Sequence, residues 1–399
     1  MTTLHTSLNN QAKGHSLAQA FYKDAGIYRA EIDTIFFKHW LFAGHGSKIP
    51  NAGDFITLEF DNESVIVVRT NSGAIKAHAN VCRHRGSRLC LDAQGSKSSF
   101  VCPYHAWRYS LDGDLVSARN MPDDFDLTSN GLHSVHTHLI DGLIFVCLAQ
   151  EPPSLQAMHS DLDAILNTHG INDLKLAVHK TYEIPANWKL AVENYQECYH
   201  CAPSHREFAQ IHAMAKSPES YATLKKEFWN KHLDDPKFTS FDYYFGLAKE
   251  GQEGYQYDRN PLLEGNLSGS LGGKAVAPLL GDIKSYEQGA SELMIGPVTF
   301  FLLYDDHVVA YRFLPKGIDQ CVCDIYWLVK SDAQEGVDYQ LDQLTWLWNV
   351  TTQADKTIIV NNQKGVDSRY YQPGRLATME SFQQSFLDWY LDTLTRHAQ

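Results

Sequence analysis

The chain is 399 residues long, 44% hydrophobic and 20% charged, enough for one large domain or two ordinary ones, each with its own core. Its 34 Lys+Arg against 47 Asp+Glu leave a formal net charge of −13, which argues against a nucleic-acid partner and fits a cationic one. The N-terminus MTTLHTSLNNQAKGHSLAQA has neither an apolar core nor a cleavage site, and no apolar run approaches the ~20 residues that span a bilayer, so the expectation is a cytoplasmic chain with no signal peptide and no membrane partner.

Residues 1–20 read as a polar, loosely held arm. Over 28–43, Ile32, Ile35, Phe36 and Trp40 recur at helical spacing and predict a packed amphipathic helix, so 1–44 is an arm followed by a helix. From Gly53 the pattern is β-rich. FITLEF, SVIVVRT and AIKAHANVC are short runs separated by the turn residues Asp61-Asn62-Glu63 and Asn71-Ser72-Gly73. The β character persists through Trp107-Arg108-Tyr109 and the turn Asp112-Gly113 to LIFVCLA (143–149), a buried strand, which makes 45–155 a small all-β domain.

Beyond it, 156–399 is mixed α+β. TYEIPANWKLAVENYQECYH begins as a strand, and Pro185 and Asn187 offer a helix start. Residues 215–275 match no regular pattern. They carry Phe228, Trp229, Phe238, Phe241, Tyr243, Tyr244, Phe245, Tyr255 and Tyr257 and end in the run GNLSGSLGG. GPVTFFLLYDDHVVAYRFLPKG and CVCDIYWLVK predict antiparallel strands, and 335–363 predicts a long helix.

Two constellations carry chemistry. The first is Cys82-x-His84 with Cys102-Pro103-Tyr104-His105, set as two loop tips in the β-rich region. With eight cysteines in a chain of this kind, metal ligation or plain burial is expected and disulfides are not. Two thiolates and two imidazoles suit a tetrahedral zinc ion. They suit equally a [2Fe–2S] cluster with mixed ligation. One Cys and one His per loop leans toward the cluster, because zinc sites more often keep Cys-x-x-Cys together.

The second constellation is NWKLAVENYQECYHCAPSH, with Glu197, His200 and His205. On an unbroken helix His200 and His205 would diverge by about 140°. Pro203 disfavours helix at Ala202, so the helix is expected to end near Cys201 and let His205 swing back. Glu197 and His200 are i, i+3, which lets Glu197 accept a hydrogen bond from the ring nitrogen of His200 that is not on a metal. A third ligand is expected from the helix near 344–359, where Asp355 falls on the apolar stripe of Leu344, Leu347, Trp348, Thr351 and Ile359. A carboxylate there is costly unless it is paired or metal-bound, whereas Asp342 belongs in solvent. Two His and one carboxylate form the facial triad of oxygen-activating Fe(II).

NVCRHRGSRLC and VCPYHAWRYSLDGDL together resemble the Rieske domain of the mononuclear non-haem iron oxygenases. NWKLAVENYQECYHCAPSH and ADKTIIVNNQKGVDSRYYQPGRL are similar to the catalytic domain of the same family, so the likeness covers roughly 15–390. It implies an α+β architecture: a small all-β Rieske domain set into a larger catalytic domain with an antiparallel sheet and flanking helices of helix-grip type, with 1–44 packing on the latter. It also implies that Cys82 and Cys102 hold one iron of a [2Fe–2S] cluster, His84 and His105 the other, and that His200, His205 and Asp355 hold a mononuclear Fe(II). In the family an acid at the position of Glu197 bridges the cluster His of one subunit to the iron-ligand His of its neighbour, here His105, Glu197 and His200, in a homotrimer.

Many ring-hydroxylating members have Asp where this chain has Glu197. Members acting on quaternary ammonium compounds tend to show Glu. With the net charge and the aromatic runs of 228–257 and 299–313, this points to oxidative N-demethylation of a compound such as glycine betaine, with O₂ consumed and formaldehyde released. Hydroxylation or O-demethylation of an aromatic substrate is the runner-up, and a non-enzymatic Rieske or zinc-binding redox protein is the reading from a different class. The chain has no G-x-G-x-x-G turn and no flavin signature, so its electrons are expected from a separate NAD(P)H-dependent flavin/iron–sulfur reductase.

Overall fold

The computed structural model describes residues 3–232, 235–243 and 248–398. Two compact units are present: Trp40–Pro152, and Met1–His39 together with Pro153–Gln399. Among the described residues no helix is long and apolar enough to cross a membrane.

The small unit is all β. Seven antiparallel strands run in the order Leu41–His45, Leu143–Cys147, Ser134–Ile140, Ile75–Ala79, Glu63–Arg69, Asp54–Phe60 and Gln94–Ser96. The expected turns fall where the sequence places them: Asp61 takes φ 45° and Gly73 φ 86°, conformations that Asp tolerates and Gly favours. Beside this sheet lies a three-stranded one of Phe100–Val101, Arg108–Tyr109 and Leu115–Ser117. Phe55, Ile66, Val68, Phe100, Tyr109 and Leu115 share a core with Cys82, Cys102 and Trp107.

The large unit is built on a seven-stranded antiparallel sheet, in the order Leu174–Ile184, Gln320–Lys330, Val308–Gly317, Thr299–Leu303, Gly289–Ile295, Tyr255–Pro261 and Ser240–Tyr243. The long helix runs Leu341–Val366 and buries Leu344, Leu347, Trp348, Thr351 and Ile359. Asp342, in its first turn, is exposed as expected.

Three sequence expectations are overturned here. From Thr3 onward the expected loose arm of 1–20 is ordered: Thr3–Asn10 is a helix. The segment after it is stitched to 368–376 by Ser16 N–H to Gly374 O (2.9 Å), Leu376 N–H to Gly14 O (3.0 Å) and Gln19 Nε2 to Ser368 O (2.9 Å). One helix does not cover 28–43. Asp24 caps Ala25–Glu31, a π turn follows over Ile32–Phe36, and Leu41–His45 pairs as a strand with Leu143–Cys147. Long-range strand pairing here outweighs local helical spacing, so Trp40 lies off the helix that Ile32, Ile35 and Phe36 belong to. Residues 215–275 are also more regular than their composition suggests. Ser217 caps the helix Pro218–Asn230, and Tyr255–Pro261 is an inner strand of the sheet. Tyr244 and Phe245 lie outside the described residues.

Asn187 and Glu31 fix the helix Trp188–Tyr195 in place. The fully buried Asn187 caps it through Lys189 N–H (3.1 Å) and donates to Ile318 O (2.7 Å) and Tyr22 O (3.2 Å). Its own N–H goes to Gln363 Oε1 on the long helix (2.8 Å), so one residue couples the two helical elements. Glu31, also without exposure, receives Lys189 Nζ (2.7 Å), Trp188 Nε1 (2.8 Å) and the hydroxyl of Tyr390. Burial alone would push the Lys189 ammonium down, and Glu31 opposes that. Removing one partner of such a pair strands a buried charge, so Lys189→Ala is expected to cost about 3–5 kcal/mol in chemical denaturation. Lys189→Met, which also strands Glu31 but keeps the packing, should recover only part of it.

Candidate metal and electron-transfer centres

The helix expected to run to Cys201 stops at Tyr195, with Gln196 as its C-cap. Its place is taken by a turn that Glu197 organises. The Glu197 carboxylate accepts the backbone N–H groups of Tyr199 and His200 and pairs with His200 Nδ1. Glu197 and His200 therefore meet as predicted, but through a turn and not along a helix face. The helical turn Cys201–Ser204 then follows; Pro203 fits its first turn, where a missing N–H costs nothing. The break comes at His205 (φ −143°, ψ 89°), and this extended residue directs its ring back.

The three expected ligands converge. Asp355 Oδ1 lies 3.3 Å from His200 Nε2 and 3.1 Å from His205 Nε2, with the two imidazole planes crossing at 82°. The Asn194 amide lies 3.3 Å from His200 Nε2. Since Glu197 holds Nδ1 of His200, Nε2 is the nitrogen left facing Asp355. Burial disfavours a charge on His200, yet Asp355 and Glu197 outweigh it and lift the imidazole to about 9. Burial likewise pushes Asp355 up, and the two histidines more than reverse it. Both directions show a donor set that draws positive charge to its centre, which is what a divalent cation would satisfy.

The same segment overturns the expectation of no disulfides. Cys198 and Cys201 are bonded across His200, with Cα atoms 4.9 Å apart. The expectation rested on compartment, whereas two residues in a tight turn bring the α-carbons within bridging range. Cys201 lies within 4.8 Å of the ligand atoms of His200 and His205, but as a disulfide it offers no thiolate.

In the small unit the two Cys/His loops have matching backbones. Cys82 N–H bonds Ser87 O (2.8 Å) and Gly86 N–H bonds Cys82 O (2.9 Å). Cys102 N–H bonds Trp107 O (2.8 Å) and Ala106 N–H bonds Cys102 O (3.0 Å). Gly86 and Ala106 both adopt positive φ, 76° and 60°. Each loop thus sends its Cys inward and its His outward. Both thiols are buried, His84 is half-buried and His105 is exposed. The two Nδ1 atoms approach to 3.1 Å, and His84 stacks on Trp107. Burial pushes the Cys82 thiol up; Tyr109 OH, 3.3 Å from its sulfur, opposes this. Paired sulfurs below and paired imidazoles above match a cluster with one iron of each ligation.

A cavity of about 490 Å³ opens onto the histidine–aspartate site. Its aromatic lining is Tyr195, Phe208, Tyr221, Trp348 and Phe382. The aromatic residues of 228–257 and 299–313 do not contribute to it among the described residues. Phe228, Tyr255 and Tyr257 are core, and Trp229 donates to Arg259 O. Those runs are therefore no argument for a cationic substrate. Lys225, Asp258 and Glu292 also line the cavity and went unnamed in the sequence reading. A signal existed: Glu292 is the charged residue in GASELMI, otherwise a buried strand.

Comparison with known proteins agrees with both centres. Residues 39–135 match the Rieske [2Fe-2S] domain family and 171–396 match the catalytic domain of the ring hydroxylating alpha subunit. The chain is 35% identical to the glycine betaine monooxygenase oxygenase subunit of Chromohalobacter salexigens, over 97% of this chain and 87% of that one. It is 27% identical to the carnitine monooxygenase oxygenase subunit of Acinetobacter pittii, over 90% and 88%. In fold it is similar to the quaternary ammonium Rieske monooxygenase CntA bound to L-carnitine (TM-score 0.69, 23% identity, 98% and 97% covered). It is also similar to naphthalene 1,2-dioxygenase from Rhodococcus sp. (TM-score 0.70, 19% identity, 100% and 98% covered).

Asp355→Ala should lower the iron content of the purified protein from about three to about two per chain and leave the visible absorption intact, measured by metal analysis and absorbance on one sample.

Proposed function

The chain belongs to the family of Rieske-type ring-hydroxylating oxygenase α subunits, and on that premise we propose that it is a terminal oxygenase that removes an N-methyl group from a quaternary ammonium compound such as glycine betaine. The observation that carries the substrate class is the 35% identity, along nearly the whole chain, to an oxygenase subunit named for glycine betaine. Similarity to carnitine monooxygenase subunits supports the same class.

In this reading Cys82, His84, Cys102 and His105 hold the [2Fe–2S] cluster, and His200, His205 and Asp355 hold the mononuclear iron. When bound, the cluster relays single electrons and the mononuclear iron activates O₂. The protein's own part is positioning. Glu197 fixes the tautomer and orientation of His200, leaving Nε2 for the metal. Asp355 gathers both imidazoles from the long helix. Tyr109 steadies the Cys82 sulfur with its hydroxyl.

The exposed His105 and the acid Glu197 fit an electron path between subunits of a homotrimer, from the His105 of one protomer through Glu197 to His200 of the next. A separate NAD(P)H-dependent flavin/iron–sulfur reductase supplies the electrons to a cytoplasmic enzyme.

The test is direct. With a surrogate reductase, NADH and air, glycine betaine should give substrate-dependent formaldehyde in step with NADH oxidised. Aromatic acids oxidised in its place, with no methylated amine turned over, would move the chain to the ring-hydroxylating branch. Glu197→Ala should keep both iron centres and lose turnover by about ten- to a hundredfold, as loss of a group orienting a metal ligand does. Turnover at the wild-type rate would show that Glu197 is not on the path.

A further inference from the structure

Glu292 sits mid-strand in Gly289–Ile295, opposite Asp258 on one side and Leu302 on the other. All three line the cavity that holds His200, His205 and Asp355. Two carboxylates directly opposite each other on a sheet repel. Lys225, from the helix Pro218–Asn230, makes its ion pair with Asp258 and not with Glu292. Asp258 Oδ1 is buried without a partner. The Glu292 carboxylate has no hydrogen bond or ion pair among the described residues. The other carboxylates of the cavity are committed, Glu197 to His200 and Asp355 to both histidines. Glu292 is thus the carboxylate of this cavity with no partner of its own, and the other lysine of the lining, Lys216, is exposed and makes no ion pair with it among the described residues.

We propose that Glu292 is the specificity residue for the substrate's fixed positive charge, with the ammonium methyls seated against Met294, Leu302 and Trp348. This rests on the substrate class inferred above. A quaternary ammonium group has no N–H to donate. It is recognised by charge and by contact with its methyls, so its receptor need not be a carboxylate already arranged to accept donors. A bare carboxylate beside the apolar side chains of Met294 and Leu302 supplies such a receptor. The Asp258–Lys225 pair beside it is internally neutral and leaves the receptor charge to Glu292.

A matched pair of ligands separates charge from shape: glycine betaine, and 3,3-dimethylbutanoate, in which carbon replaces the quaternary nitrogen. Calorimetry on the iron-loaded holoenzyme should show Glu292→Gln weakening glycine betaine by about tenfold or more, the scale of one partly desolvated charge pair. Affinity for the carbon isostere, an anion that lacks the cationic centre, should hold or rise. The pH dependence gives a second readout. Burial pushes the Glu292 carboxyl up to about 7, Asp258 pushes the same way and Lys225 opposes. Tyr221 and Tyr304 also face it and, both raised by burial, stay protonated. The cation favours the ionised acid, so glycine betaine affinity should rise from about pH 6 to about pH 8 in the wild type and stay flat in Glu292→Gln.

Equal loss of both ligands, or no loss of either, overturns the role of Glu292. If the wild type still releases formaldehyde from glycine betaine in that case, the substrate class stands without it. A wild type that binds and demethylates no methylammonium compound overturns the substrate class itself.

Discussion

One carboxylate oxygen, Asp355 Oδ1, stands between two imidazole nitrogens 3.1 and 3.3 Å away, and much of the large unit is arranged to keep it there. A carboxylate on the core-facing side of a helix is unfavourable unless a positive charge accompanies it. The chain brings that charge in on a separate element. The helix Trp188–Tyr195 is tied to the long helix through Asn187 and Gln363 and anchored at its other side by Glu31. Beyond Tyr195 the backbone leaves the helix twice, at the Glu197 turn and at His205, and those two departures aim both Nε2 atoms at one point.

The two centres solve opposite electrostatic problems. In the small unit the thiols are buried and the imidazoles face outward, so the negative ligands are shielded and the neutral ones are accessible. Burial disfavours a thiolate, as the upward push on Cys82 illustrates, and a bound metal reverses that. In the large unit the carboxylate and histidines together attract a cation, and the acid Glu197 strengthens His200 from behind. A soft donor set suits a redox cluster, and a hard, open-sided set suits an oxygen-binding ion.

Six of the seven proposed iron ligands stand out by residue type at short separations, and the family resemblance supplies their assignment to iron. Asp355 was legible for a different reason: an acid on an apolar stripe contradicts its surroundings. What the spacing hid was backbone. Helical periodicity at 28–43 does not reveal that Leu41–His45 is claimed by Leu143–Cys147. A Glu and His three apart look alike in a helix and in a turn, so the stop at Tyr195 was not visible. The Cys198–Cys201 bond comes from the tightness of the turn, on which compartment has no bearing. The cavity wall was the least legible part. Asp258 and Glu292 meet only through the register of Tyr255–Pro261 against Gly289–Ile295, and the aromatic runs that drew attention pack elsewhere.

The central claim is that one polypeptide carries two chemically distinct iron stations. Mössbauer spectroscopy of protein grown on ⁵⁷Fe tests it most directly, before any substrate or reductase is chosen. The account predicts two iron populations in the reduced protein, a coupled pair with unlike ligands and a single high-spin ferrous ion, in a ratio of about two to one. A single iron environment, or a colourless protein with zinc between Cys82, His84, Cys102 and His105, would contradict it.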